Sequence, residues 1–228
     1  MDYQLNDPDT ILKSYGRGVI FYAVDEDGDP TVWDGTSELN LEPLGLTEGD
    51  LNFSPNGNVA TLTLPEITGD AIHEAKDLGE APVLEFPMFL ADPDLLPIIS
   101  PRGSAHAGYS RVCDVAERTI VVFPEELFKV SDDPCLYGDL AYTLAEGWTL
   151  NGTVLTSAQE TLLELTYWLW RGYFQRPDTG FRGGHGDDGK ALYTASFMVM
   201  DNPSLPNGHR LYTRGDPATY GISIEGAS

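Results

Sequence analysis

SAQETLLELTYWLWRGYFQ, Ser157 to Gln175, is the stretch on which the reading of the fold turns. Ser157 with Glu160 three residues later has the form of a capping box, the side chains of the two residues satisfying each other's free backbone donors. Leu162, Leu165, Leu169 and Tyr173 recur at helical spacing, and Leu163, Tyr167, Trp170 and Phe174 widen the stripe. Pro177 follows where a helix would stop. The pattern predicts one long amphipathic helix from Ser157 to Gln175.

The chain around it reads as strands. GVIFYAV (Gly18 to Val24) leads into the turn-rich DEDGDP and then TVW, which predicts a hairpin. NVATLTLPEI (Asn58 to Ile67) alternates in the manner of a half-buried strand. PVLEFPMFLA (Pro82 to Ala91) is apolar and β-prone, but Pro87 argues against a central place in a sheet. RTIVVF (Arg118 to Phe123), ALYTASFMVM (Ala191 to Met200) and TYGISIEG (Thr219 to Gly226) complete the expected strands, with a short helix or turn over Gly69 to Gly79. There is no internal repeat, linker or low-complexity block. The expected architecture is a single mainly β domain over residues 1–228, a β-sandwich or barrel with the long helix packed against it. It has an extended N-terminal segment and long loops, among them Ser100 to Tyr109 and Gly180 to Lys190.

Composition supports a globular chain: 41% of residues are apolar and 11% aromatic. A chain of 228 residues buries roughly 70% of the surface its unfolded form exposes. Charge is the outlier, with 13 Lys and Arg against 36 Asp and Glu and a formal net charge of −23 at pH 7. Such a field repels phosphates and disfavours gripping of DNA or RNA. It fits solubility or adaptation to salt, and equally an acidic surface that a polyanion passes without sticking. Cys113 and Cys135 make neither a disulfide framework nor a zinc site and read as reduced, structural thiols. The first residues, MDYQLNDPDTILK, lack the apolar core of a signal peptide. No apolar run approaches the ~20 residues that span a bilayer, so a soluble protein with no membrane partner is expected.

Several motifs invite a chemical reading and lose it on inspection. Gly184 to Lys190, GHGDDGK, matches the first seven positions of a P-loop. A P-loop follows a buried strand, opens a helix and continues with Ser or Thr; here Ala191 follows, and Asp187 and Asp188 stand where phosphates need N–H donors. Asp25, Asp27 and Asp29 imitate the start of a calcium loop, but Pro30 and Thr36 occupy the positions that require Gly and Glu. His73, His106, His185 and His209 are scattered, and Cys113 has no evident partner for nucleophilic catalysis. The Arg214-Gly215-Asp216 tripeptide precedes a proline and reads as a turn. The Asn151-Gly152-Thr153 sequon has no secretion signal to make it relevant. The expectation is a protein that is not an enzyme, with no catalytic residues, no cofactor and no metal.

Five aromatics within eight residues, Tyr167, Trp168, Trp170, Tyr173 and Phe174, are the strongest positive feature. They suit a deeply packed helix, or one that buries a second face on a neighbouring subunit, where aromatics are enriched.

PVLEFPMFLADPDLLPIISPRGSAHAGYSR, RTIVVFPEELF, YWLWRGYF, GDDGK and YTRGDPATYGI, in that order, resemble the major tail proteins of tailed bacteriophages. The resemblance covers about Asn58 to Ile222 and is one of phrasing and layout. It implies a virion structural protein made in the host cytoplasm and located in the tail. Its subunits would form rings, hexameric in the family, that stack into a tube for DNA delivery by a repeating heterologous contact. Partners would be further copies of itself, other tail proteins, and viral DNA as passing cargo. Interface candidates are Trp168, Trp170, Tyr173, Phe174, Arg102, His185 and Lys190; lumen candidates are Asp25, Glu26, Asp27 and Asp29. The two long loops would order on a neighbouring subunit. Two rival readings remain: another virion part, such as a head–tail completion or capsid decoration protein, and a β-fold glycan-binding or hydrolytic module. The location of Trp168 and Trp170 discriminates, since sugar stacking needs them in an open cleft.

Overall fold

Alternation of apolar residues carries most of the architecture. In the computed structural model, which describes residues 17–47, 52–54, 59–63, 72–77, 82–91, 93–99, 116–129, 138–175 and 193–225, six strands form a closed antiparallel ring. They are β1 (Gly18–Val24), β2 (Asn40–Thr47), β6 (Val83–Leu90), β7 (Arg118–Pro124), β11 (Tyr167–Phe174) and β12 (Tyr193–Val199). The ring order is β1-β2-β6-β12-β11-β7, and β7 returns to β1. Two short strands extend it: β3 (Asn52–Ser54) pairs with β6, and β13 (Tyr212–Arg214) pairs with β11. A hairpin of β4 (Val59–Thr63) and β5 (Ile72–Asp77) forms its own two-stranded sheet, and β8 (Leu140–Thr143), β9 (Gly147–Leu150) and β10 (Thr153–Val154) form a three-stranded one. The fold is thus mainly β and, within the sandwich-or-barrel expectation, a barrel.

Inside the ring, Leu84, Phe86 and Met88 of β6 and Ala195, Phe197 and Val199 of β12 point inward at every second position. Ile20, Tyr22, Leu44, Ile120, Val122, Leu169 and Phe174 complete the filling. A six-stranded barrel is narrow enough for side chains to occupy it fully. Residues 93–99 follow β6, and Ile98 and Ile99 bury themselves against the same interior. Arg118, 7% exposed, holds this segment by donating from Nε to the Ile98 carbonyl at 3.3 Å.

A second core lies outside one wall. Val121 and Phe123 of β7 and Trp168 and Trp170 of β11 point away from the barrel into a layer built mostly by the chain between and after these strands. Leu127 and Phe128 come from α1 (Glu125–Phe128), Leu150 from β9, and Leu163 from α2 (Ser157–Leu163). Trp33, Leu155, Leu205 and Ile222 complete the cover. Every residue of β7 is buried as a result, because this wall has a core on each side.

The long helix expected over Ser157 to Gln175 is two elements. Helix α2 ends at Leu163, Leu165 N bonds to Leu162 O and Thr166 N to Leu163 O in a closing turn, and β11 begins at Tyr167. The capping box is real but sits one residue earlier, with Thr156 as the cap and Gln159 answering it. The apolar run that looked helical is a strand buried on both faces, which loses the alternation that marks a strand in sequence.

Four other expectations are corrected. TVW does not pair with β1 as a strand: the turn closes through a single Val24–Pro30 bridge, and β1 takes β2 as partner. Pro87 lies in the ring itself, opposite Thr194 of β12; its other side falls between the β3 pairing (Val83 to Glu85) and the β2 pairing (Met88 to Leu90), so its missing N–H interrupts no ladder. The helix or turn expected over Gly69 to Gly79 contains β5, and TYGISIEG is not a strand. There Asp216 caps a 3-10 turn, Pro217–Tyr220, that ends at Gly221 with φ 74°. The extended N-terminal segment and the loops Ser100 to Tyr109 and Gly180 to Lys190 lie outside the described residues.

One irregularity sets the two cores. Tyr167, Trp168 and Leu169 pair with Val122, Val121 and Ile120, but Gly172 pairs with Arg118, so β11 holds one extra residue. The bulge reverses the alternation: Leu169 and Phe174 face inward, Trp168 and Trp170 outward. Just past it, a Cβ on Gly172 would collide with the Met198 carbonyl and the Phe197 ring. Gly172→Ala is expected to lower unfolding stability by about 3 kcal/mol through this overpacking, measured by urea denaturation.

Candidate functional site

The outer layer brings together all four tryptophans of the chain. Trp33 lies 5.1 Å from Trp170 between ring centroids, Trp170 stacks on Trp168 at 5.5 Å, and Trp168 lies 6.0 Å from Trp148. Phe123 meets Trp168 edge-on at 5.5 Å, and Tyr142 lies 5.1 Å from Trp148. Each fully buried ring of this size removes roughly 150–250 Å² from water, about 4–6 kcal/mol of transfer free energy before entropy is charged against it.

The polar ends of these rings are placed by backbone and strand neighbours. Trp168 Nε1 donates to the Gly215 carbonyl at 2.7 Å, Trp170 Nε1 to Thr213 Oγ1 at 2.8 Å, and Trp33 Nε1 to the Ser37 carbonyl at 2.8 Å. Trp148 Nε1 is buried with no partner among the described residues. Thr119 ties the layer to the bulge, accepting from Trp33 N at 2.9 Å and donating to the Trp170 carbonyl. Trp168 and Trp170 are both 0% exposed under cover of their own chain, so neither offers a face on which a sugar could stack.

The other interface candidates divide. Phe174 fills the barrel interior, 5.0 Å from Phe197. Tyr173 is half-buried on the outside, its hydroxyl donating to Met198 Sδ at 3.1 Å. Arg102, His185 and Lys190 lie outside the described residues, as do Cys113, Cys135 and His106. His209 packs on Tyr220 with centroids 4.2 Å apart. Asp25, Glu26, Asp27 and Asp29 share one exposed turn. Asp25 Oδ1 accepts the Asp27 and Asp29 N–H groups at 3.0 and 2.9 Å, and Gly28 takes φ 85°. That carboxylate organises a turn. Among the described residues there is no group of three or more His, Cys, Asp or Glu able to hold a metal, and no helix long and apolar enough to cross a membrane.

The Arg214-Gly215-Asp216 tripeptide is folded away. Arg214 lies 5.8 Å over the Tyr167 ring, Gly215 is buried, and Asp216 Oδ1 accepts from Ala218 N at 3.0 Å. Three other described cations are paired with carboxylates. Arg171 makes a two-pronged pair with Glu117 at 2.7 and 3.1 Å, Arg210 meets Asp201 at 3.3 Å, and Lys129 reaches Glu125 at 3.8 Å. Exposed carboxylates meanwhile stand on many elements: Glu42 on β2, Glu85 on β6, Glu126 on α1 and Glu160 on α2. Acidity therefore spreads over the described surface and is not gathered on one face.

Sequence reasoning did not find the group at the barrel end. Tyr22, 3% exposed, donates its hydroxyl to Glu42 Oε2 at 2.7 Å. Burial, and then the bond to Glu42, push the Tyr22 phenol up to about 12. Arg118 opposes this weakly, and its own proton affinity is lowered by burial. Alternation along β1 was the available signal, since Tyr22 shares the parity of Ile20.

No family model, curated protein or solved structure matches this chain.

Two outcomes are expected. Thr213→Val leaves the Trp170 indole N–H without its acceptor and costs about 1–3 kcal/mol in thermal or urea unfolding. A Tyr22 that holds its proton more tightly when folded gives stability that is complete below pH 10 and falls as pH rises towards 12. Tyr22→Phe is expected to flatten that alkaline decline, followed by denaturation at stepped pH.

Proposed function

We propose that the protein is a virion structural subunit, the building block of a phage tail tube, and that its work is self-assembly without chemistry. One observation supports assembly most. The outward positions of β6, β12 and the end of β11 hold Val83, Glu85, Pro87, Phe89, Tyr173, Gln175, Ser196 and Met198, a half-buried strip in which Glu85 alone is charged and exposed. Two copies of a chain carrying −23 repel one another almost everywhere else. A largely neutral, partly apolar strip is where copies can approach at small electrostatic cost.

The resemblance to major tail proteins supplies the rest of the reading: rings, hexameric in the family, stacked into a conduit, with the Asp25 to Asp29 turn among the groups facing passing DNA. The long loops would bridge subunits. A head–tail completion or decoration protein would use the same surface at lower copy number. The glycan-binding alternative loses its support with both tryptophans fully covered.

Negative-stain electron microscopy of concentrated protein at low and high salt tests the proposal. Screening shortens the Debye length from ~10 Å at 0.1 M to ~3 Å at 1 M, so rings or tubes are expected to grow more abundant with salt. Phe89→Glu is expected to abolish them while leaving the unfolding midpoint nearly unchanged. A chain that stays monomeric under all these conditions overturns the reading.

A further inference from the structure

Asn-Gly pairs are chemically fragile because glycine, lacking Cβ, leaves its backbone nitrogen open to attack the preceding carboxamide. The chain has three: Asn56-Gly57, Asn151-Gly152 and Asn207-Gly208. The first lies outside the described residues. The other two share a dipeptide and differ in how they are held.

Asn151 turns the chain between β9 and β10 with φ 51°, and its side chain is clamped. Its Oδ1 accepts the Asp139 N–H at 2.9 Å, while its own N–H donates to the Asp139 carbonyl at 2.8 Å. Swinging the carboxamide round to meet Gly152 N breaks the first bond. Asn207 is exposed, and its carboxamide makes no hydrogen bond among the described residues. Gly208 is exposed too, with φ 96° and nothing within 4 Å of where a Cβ would stand. The turn is closed outside the reacting atoms, by His209 N donating to the Pro206 carbonyl at 3.1 Å.

We propose that Asn207 is a site of spontaneous backbone-assisted deamidation, and that the fold protects Asn151 from the same reaction. Gly208 N loses its proton and attacks Asn207 Cγ. The new C–N bond forms as the Cγ–Nδ2 bond breaks, and ammonia leaves with the proton. Water then opens the five-membered succinimide at either carbonyl, giving aspartate or isoaspartate. No electron transfer is involved. The product adds a carboxylate to the turn between Asn202, whose Nδ2 donates to the Trp33 carbonyl at 3.1 Å, and His209 on Tyr220. The isoaspartate form also lengthens the backbone there.

The test holds the native protein at mildly alkaline pH and physiological temperature, with peptide mass spectrometry over time. Conversion reads as a gain of about 1 Da with separable aspartate and isoaspartate peptides. In the folded protein Asn207 is expected to convert at least about ten-fold faster than Asn151, a barrier difference of about 1.4 kcal/mol. In urea the two rates should draw together. Asn207→Gln should remove the signal from that peptide and leave the Asn151 rate unchanged. Equal rates in the folded protein, or a preference that persists undiminished in urea, overturns the proposal.

Discussion

Burial of one wall on both faces is the constraint from which the rest of this structure follows. Strands β1, β7 and β11 close the barrel with one set of side chains and carry the outer aromatic layer with the other. A strand in that position has no solvent face to make polar, so β7 is buried throughout. The segment joining β7 to β11 must then return across the wall as cover. It does so as α1, the three-stranded sheet and α2, and Trp33 from between β1 and β2 and the chain after β12 supply the remainder.

The same constraint explains what was legible in the amino-acid sequence. Strands with one inward face, such as β6 and β12, alternate in burial, and both were readable as strands. Strand β7, short and rich in Ile and Val, was readable from its β-prone composition. Strand β11 was not: Leu162, Leu165, Leu169 and Tyr173 fall at helical spacing by coincidence, across a real helix, a turn and a doubly buried strand. Gly172 was the local clue, a residue poor for helix and suited to the bulge where Phe197 presses close. Pro87 misled for a related reason. A proline is excluded by the ladder it would break, and only the change of partners from β3 to β2 shows that no ladder runs past it.

The candidate site was half legible. Trp168 and Trp170 were conspicuous as a cluster, but Trp33 and Trp148 join them from far along the chain, a contact that no local pattern encodes. Nor does sequence say which acidic groups are spent on the fold. Asp34 is an instance: backbone N–H groups of Ser37 and Thr36 hold its carboxyl down to about 2, so that it organises a loop while still counting toward the surface charge. Composition reads that charge correctly and leaves its distribution unread.

The gathering of every tryptophan outside the barrel has a spectroscopic consequence. The interior is filled by Tyr22, Phe86, Phe174, Phe197 and aliphatic side chains, and contains no indole. Intrinsic tryptophan emission therefore reports the covering layer and is blind to the barrel's own filling. The two compartments share β7 and β11, so a cooperative molecule should lose both together. A fluorescence transition that runs ahead of the loss of β-sheet circular dichroism would mean that the cover lifts while the ring stays closed.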